Sequence, residues 1–324
     1  MDFFLDIGLN ILLAGVGFVV LIKCADFFVD GASSLAGNFK ISTTVIGLTV
    51  VAFGTSAPEL AISFKSHLSN NTDMLFGNVI GTNIVNILVI LGVAVLINPF
   101  KISNEAIKKQ IPILLLVTLG ASVLLLDSLF DSMPANSITR ADSIILILFF
   151  SIFVYYLITI LSNKTDQNAV SEEPKYKISK SIVIIVLGLA GIIFGSNLVV
   201  DNVVSLAIAI GISQKIISVT IISIGTSLPE LATTVIATRK GENNMAIGNI
   251  VGSNIFNICI VLGLPIVILG EASTTAFHIA DVVFMSLSVV LLWIFSATNR
   301  ELKRYEGALF AAVYCLYGVY IFLQ

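Results

Sequence analysis

Charge is what this chain has least of. Only 11% of its 324 residues are Asp, Glu, Lys or Arg, against 57% hydrophobic residues. An ordinary soluble domain carries about 25% charged residues. A core of this size could not hide so much apolar surface and still present a charged exterior to water. The mean hydropathy of +1.03 agrees, so lipid is expected to surround most of the chain. Metal-binding and reactive side chains are equally sparse. Cys24, Cys259 and Cys315 lie in apolar stretches without ligand spacing and read as packing residues. His67 and His278 stand alone, one at the end of an apolar run and one inside another. These absences argue against a Zn²⁺ or Cu centre. No basic cluster of the nucleic-acid type is present. Neither a phosphate-cradling loop nor a nucleophile–base pair occurs, so no enzyme and no cofactor are expected. The first residues lack the Lys/Arg region and cleavage site of a signal peptide, so the first apolar run is expected to be retained. Period-2 alternation is missing too, which argues against a barrel wall.

What the chain does have is long apolar runs. About 20 such residues are needed for a helix to cross the hydrocarbon core. Ten stretches qualify, at 7–33, 42–67, 73–98, 107–127, 139–162, 179–208, 213–238, 244–269, 275–297 and 302–323. The expected fold is an all-α membrane protein of ten transmembrane helices. One polar stretch, Ser162–Ser179, divides it. The predicted organisation is therefore a first five-helix unit at 1–161, a linker at 162–178 and a second five-helix unit at 179–324. Lysine and arginine favour the cytoplasmic side of membrane proteins. With both termini outside, 13 of the 16 loop lysines and arginines fall inside, the linker among them. The expectation is a multi-pass protein of the cell's inner (plasma) membrane, with external termini and a cytoplasmic linker.

Shifted by 171 residues, the sequence matches itself without a gap. Asp30 falls on Asp201, and Gly54-Thr55-Ser56 on Gly225-Thr226-Ser227. Pro58-Glu59-Leu60-Ala61 falls on Pro229-Glu230-Leu231-Ala232, and Gly77-Asn78 on Gly248-Asn249. Gly81, Asn83, Ile84, Asn86 and Ile87 fall on Gly252, Asn254, Ile255, Asn257 and Ile258. Chance alignment of apolar helices would match Leu and Val, not Pro, Glu, Asn and Gly in step. Five spans per unit is an odd number, so the second unit starts from the opposite face and the repeats are inverted. Inverted repeats with interrupted helices in matching places point to a transporter's midplane site.

Glu59 and Glu230 fall near the middle of the second and seventh predicted spans. A central ionisable residue costs about 2.5–3.5 kcal/mol on insertion scales, so two at equivalent positions suggest use. Pro58 and Pro229 precede them. Proline removes a backbone donor and frees carbonyls one turn back, around Gly54-Thr55 and Gly225-Thr226. Loose backbone at membrane depth is tolerated where it lines a cavity or is buried in protein. Thr55 and Thr226 lie four residues before the glutamates, on the same helix face. The third and eighth spans add polar stripes, Asn78/Thr82/Asn86 and Asn249/Ser253/Asn257, beside the GxxxG pairs Gly77/Gly81 and Gly248/Gly252. Carboxylates, hydroxyls, amides and carbonyls are hard oxygen donors, which suit Ca²⁺ and other hard cations. Asp26, Asp30 and Asp201 lie toward span ends and read as interfacial.

The motifs GTSAPEL (54–60) with GNVIGTNIVNI (77–87), and GTSLPEL (225–231) with GNIVGSNIFNI (248–258), resemble the two repeats of the Ca²⁺/cation antiporter superfamily, sodium/calcium exchanger branch, including its prokaryotic members. The resemblance covers nearly the whole chain. It implies ten helices, exchange of Ca²⁺ for Na⁺ across the bilayer, and alternating access. Carried over by position, Glu59, Glu230 and the region of Thr55 and Thr226 would bind Ca²⁺. The Ala52 and Ser223 carbonyls, Ser56, Ser227, Thr82 and Ser253 would form flanking Na⁺ sites, and Asn86 and Asn257 would complete the centre. Several relatives, K⁺-dependent ones among them, have Asp at the place of Asn257. Asn here leaves two acids in the set. Paired buried carboxylates also bind protons, so Ca²⁺/H⁺ exchange is the alternative. A cation channel is the reading from a different class, distinguished by flux that needs no counter-ion.

Overall fold

The computed structural model describes residues 2–126, 136–162, 174–211, 223–274 and 279–323. They are almost wholly helical. Helix α1 (Asp2–Phe39) leads into a broken rod of α2 (Thr43–Ile46), a π-helical turn (Gly47–Val51), α3 (Ala52–Thr55) and α4 (Ala57–Leu68). Next come α5 (Thr72–Val85), a second π turn (Asn86–Leu91) and α6 (Gly92–Ile97). A third π turn (Ala106–Gln110) opens α7 (Ile111–Leu124), and α8 (Arg140–Ser162) follows. In the second half, α9 (Ile178–Ala209) precedes α10 (Ser223–Thr226) and α11 (Leu228–Arg239). Then come α12 (Asn243–Phe256), a π turn (Asn257–Leu262), α13 (Gly263–Leu269), α14 (Ile279–Asn299) and α15 (Arg304–Leu323).

Among the described residues, seven helical runs are long and apolar enough to cross a membrane, or eight if the pair Thr43–Thr55 and Ala57–Leu68, bent by 42°, is one span. The chain is an all-α membrane protein. The predicted span 213–238 begins in residues outside the description, as does most of the predicted linker. The last predicted span is helix α15, whose 20 residues extend about 30 Å.

The offset of 171 seen in the sequence returns in the backbone. Helix α4 (57–68) falls on α11 (228–239), α5 (72–85) on α12 (243–256), and the π turn 86–91 on 257–262. Proline occupies the first turn of both α4 and α11, where its missing N–H has no intrahelical partner to lose. The freed carbonyls and the Ser56 and Ser227 backbones, which leave helical geometry at φ near −87°, make the break.

Two residue-poor strand pairs depart from the purely helical expectation. β1 (Phe100–Lys101) pairs antiparallel with β4 (Glu301–Leu302), and β2 (Asn136–Ile138) with β3 (Ala272–Thr274). Each is a clasp between loops that would otherwise leave backbone donors and acceptors unmet.

Two packed regions position the central helices. Leu75, Phe76, Ile80, Leu88 and Leu91 join Ile250, Ile255, Val261, Leu292 and Phe310 in one core. Phe28, Ala32, Ile192, Ala232 and Met245 belong to a second, where α1 lies along α9. Glycine makes the helix approaches possible. A Cβ at Gly248 would stand 2.7 Å from the Thr44 carbonyl oxygen, and one at Gly252 2.7 Å from that of Leu48. The backbone of the broken rod therefore touches α12 directly, which realises the Gly248/Gly252 motif. At Gly81, among the described residues, a Cβ would meet nothing within 4 Å.

Candidate ion site between the broken helices

Glu59 and Glu230 are each the third residue of a helix that starts at a break, and both are fully buried. A carboxylate in a first turn gains from the positive helix end. The two acids are near enough to interact electrostatically. Around them lie Thr55, Ser56, Thr82, Asn86, Ser227, Ser253 and Asn257, all buried, with Thr226 half-buried. Ser223 opens the short helix α10.

Serine at a helix N-cap normally bonds to the backbone of the first turn. Ser56 and Ser227 stand at the N-caps of α4 and α11 and neither makes that bond. Ser56 Oγ instead donates across the repeat boundary to Glu230 Oε1 at 3.1 Å. Among the described residues, Ser227 Oγ has no hydrogen-bond partner. The same holds for both Glu59 carboxyl oxygens, Glu230 Oε2, Asn86 Oδ1 and both polar atoms of Asn257. Buried polar atoms in folded proteins are almost always paired. So many buried oxygens left over among the described residues make this interface the candidate site.

The carbonyl ends of the short helices contribute as well. The Ala52 carbonyl faces Thr55 Oγ1 and Ser253 Oγ, each at 3.4 Å. Asn86 and Asn257 each begin a π turn. π turns are concentrated at functional sites. The turn headed by Asn86 packs on α11, which carries Glu230, and the turn headed by Asn257 packs on α4, which carries Glu59. Each half thus packs the turn that carries its amide against the helix that carries the other half's acid. Asn86 Nδ2 donates to Asn254 Oδ1 at 2.8 Å, and Asn254 Nδ2 to the Asn83 carbonyl at 3.2 Å, so these amides also tie the halves together.

The structure therefore gathers the expected acids, hydroxyls and the Ala52 carbonyl at one interface. Among the described residues no group of three His, Cys, Asp or Glu side chains could hold a metal; the donors here are two acids among neutral oxygens. A cavity of about 180 Å³ reaches this interface, bounded by Pro58, Asn197, Val200, Thr226 and Pro229. The π turns escaped the sequence pattern, as did Thr233 and Thr234, which accept from Asn249 Nδ2 at 3.2 and 2.9 Å. Asn86 and Asn257 offered no period change to betray the turns. Thr233 had a signal, since its repeat partner is Ile62.

Compared with known proteins, the chain matches the family model described as sodium/calcium exchanger protein over residues 9–159 and 180–323. The chain belongs to the sodium/calcium exchanger protein family. It is accordingly a multi-pass membrane antiporter of the exchanger type and not an enzyme. Sodium/calcium exchanger MaX1 of Methanosarcina acetivorans is 32% identical over 98% of this chain and 99% of its own length. Inner membrane protein YrbG of Escherichia coli is 36% identical over 85% of both. Among solved structures, the sodium-calcium exchanger NCX_Mj soaked with 10 mM Na⁺ and zero Ca²⁺ superposes with a TM-score of 0.82, at 29% identity, over 96% of this chain and 98% of its own. The two matched segments leave a gap at 160–179, which contains the polar stretch Ser162–Ser179.

Proposed function

We propose that this exchanger moves Ca²⁺ against Na⁺ by alternating access, using ten helices arranged as two inverted five-helix repeats. The observation that carries the reading is the pair Glu59 and Glu230, buried at matched positions with three of their four carboxyl oxygens free of hydrogen bonds. Two carboxylates in a low dielectric demand compensation, which one divalent ion or several monovalent ions supply. Glu59, Glu230, the backbone at Thr55 and Thr226, Asn86 and Asn257 would hold Ca²⁺. Ser56, Ser227, Thr82, Ser253 and the Ala52 and Ser223 carbonyls would receive Na⁺. Competition for the acids, with no crossing when they are bare, yields exchange. The relatives support this choice: MaX1 and NCX_Mj are sodium/calcium exchangers by name.

Sidedness is supported by the strand clasps. β1 and β4 join the loops bearing Lys101 and Arg300, and β2 and β3 join two loops with Arg140 as the nearest cation. The positive-inside rule puts the first clasp in the cytoplasm and the second outside. The termini are then external. The test is ⁴⁵Ca²⁺ uptake into proteoliposomes under separate Na⁺, K⁺ and H⁺ gradients, with a protonophore in the Na⁺ arm. Uptake that requires the Na⁺ gradient supports the proposal. Uptake driven by pH alone would make this a Ca²⁺/H⁺ exchanger, and uptake needing no counter-ion would make it a channel.

A further inference from the structure

The flank of the site next to Ala52 contains an oxygen that the carried-over ligand set leaves out. Asn249 lies on α12 one turn before Ser253 and is 1% exposed. Its Nδ2 donates to Thr234 Oγ1 at 2.9 Å and to Thr233 Oγ1 at 3.2 Å. Thr233 can accept because its own proton goes to the Pro229 carbonyl at 2.8 Å. The amide is therefore oriented: nitrogen toward the two threonines, oxygen away from them. That oxygen, Oδ1, faces Thr55 Oγ1 and Ser253 Oγ, each at 3.5 Å. The same two hydroxyls face the Ala52 carbonyl, each at 3.4 Å.

Four oxygens thus sit together at separations that serve hydrogen bonding poorly. Hydroxyl donors prefer about 2.7–2.8 Å to an oxygen acceptor, and Thr233 reaches that distance nearby. Ser253 has one proton and two acceptors, both at the far limit, while Thr55, which also reaches the Glu230 carboxyl, stands equally far from the Ala52 and Asn249 oxygens. Oxygens arranged octahedrally about 2.4 Å from a hard cation stand about 3.4 Å apart along each edge. The spacing fits an ion's shell better than a hydrogen-bond cluster. The four oxygens are neutral and a single acid, Glu230, borders them through Thr55, a balance that suits a monovalent ion. The first half holds its amide differently: Ser63 Oγ, the counterpart of Thr234, accepts from Asn78 Nδ2 at 3.0 Å, but Ile62 stands in the place of Thr233 and the second bond goes to the Glu59 carbonyl, also at 3.0 Å.

We propose that the Asn249 side-chain oxygen is a further ligand of a Na⁺ site formed with the Ala52 carbonyl, Thr55 and Ser253, and that Thr233 and Thr234 are the residues that position it. The inference rests on the Na⁺-binding part of the functional reading above, and it makes the two flanking sites chemically unequal.

Two measurements test it: Na⁺ binding to the purified protein by calorimetry in Ca²⁺-free buffer, and Ca²⁺/Ca²⁺ exchange in Na⁺-free proteoliposomes. Asn249→Leu should raise the Na⁺ half-saturation at least about tenfold and leave that for Ca²⁺ within about twofold. The double variant Thr233→Val, Thr234→Val should shift Na⁺ in the same direction by a smaller factor, and Thr233→Ser with Thr234→Ser should restore it. A purely structural role would weaken both ions together and would overturn the proposal, as would unchanged Na⁺ binding in Asn249→Leu. If Asn249→Leu does not fold, Asn249→Asp keeps the shape and adds charge. It should tighten Na⁺, and Na⁺ binding equal to wild type would overturn the site. A wild-type protein that binds Na⁺ through Asn249 yet moves no Ca²⁺ on a Na⁺ gradient would sink the antiport reading and leave this site standing.

Discussion

Glu59 and Glu230 occupy equivalent places in the two repeats, and their surroundings differ. Glu230 receives the Ser56 hydroxyl, while among the described residues Glu59 receives nothing from Ser227, whose oxygen has no partner there. The amides follow suit. Asn86 is bonded to Asn254, and its counterpart Asn257 has neither polar atom paired. Matching sequence has produced matching backbone, including the break, the proline and the π turn, without matching hydrogen bonds. Two copies of one motif packed face to face cannot both direct their side chains identically unless the whole molecule is symmetric, and substitutions such as Thr233 for Ile62 ensure that it is not.

The largest expected effect treats the halves as equal. Glu59→Gln and Glu230→Gln should each reduce ⁴⁵Ca²⁺ uptake by about 100-fold or more while the protein still elutes as a folded species, because loss of one charge leaves a divalent ion under-compensated. Near-normal exchange by either variant would remove that residue from the site. Asn257→Asp should act next most strongly, lowering the Na⁺ half-saturation several-fold by adding a third acid beside Glu59. A variant indistinguishable from wild type would mean that position 257 does not face the ion.

The serines then separate the halves. Ser56→Ala removes a donor to a buried carboxylate and should cost about 1.5–3 kcal/mol of stability without ions. Ser227→Ala removes a hydroxyl that bonds to nothing described, so thermal unfolding in ion-free buffer should barely change. Both should weaken Na⁺ binding. Equal losses of stability would contradict the asymmetry.

The smallest effect concerns the ion pairs made by Asp26 and Asp30 in the C-terminal third of α1. Lys240 Nζ lies 2.6 Å from Asp30 and 2.9 Å from Asp26, and Lys175 Nζ lies 2.7 Å from Asp30. The hydrogen bond and charge of Asp30 raise the affinity of Lys175 for its proton above the ordinary lysine value. A raised folded-state value means that the pair contributes below the unfolded value of about 10.4 and is lost as pH climbs past the folded one. Lys175→Gln should therefore leave the unfolding temperature nearly unchanged at neutral pH, as exposed pairs usually do, and wild type and variant should converge in strong alkali. A large loss at pH 7 would give this cluster a structural weight that its exposure argues against.

Much of this was legible in the chain. The apolar runs located helix limits to within a few residues at α8, α9, α15 and the stretch from α5 to α6, because a lipid solvent demands about 20 apolar residues of every crossing. The repeated Pro-Glu pairs located the breaks, because proline's missing donor acts within one turn of its own backbone. The strand clasps were illegible, since two or three residues carry no period. The Ser56–Glu230 bond was also hidden. It joins residues 174 apart, and nothing local says which hydroxyl will turn inward.

Composition, the 171-residue repeat and the paired motifs were enough to determine a helical membrane protein with matched intramembrane acids, because those properties depend on solvent and on neighbours along the chain. Only the packing of α12 against the broken rod decided which oxygens share a space, and only there did Asn249 come to face Thr55. Its orientation is set by contacts between segments far apart in sequence, and such contacts exist only once glycine has let the two backbones meet.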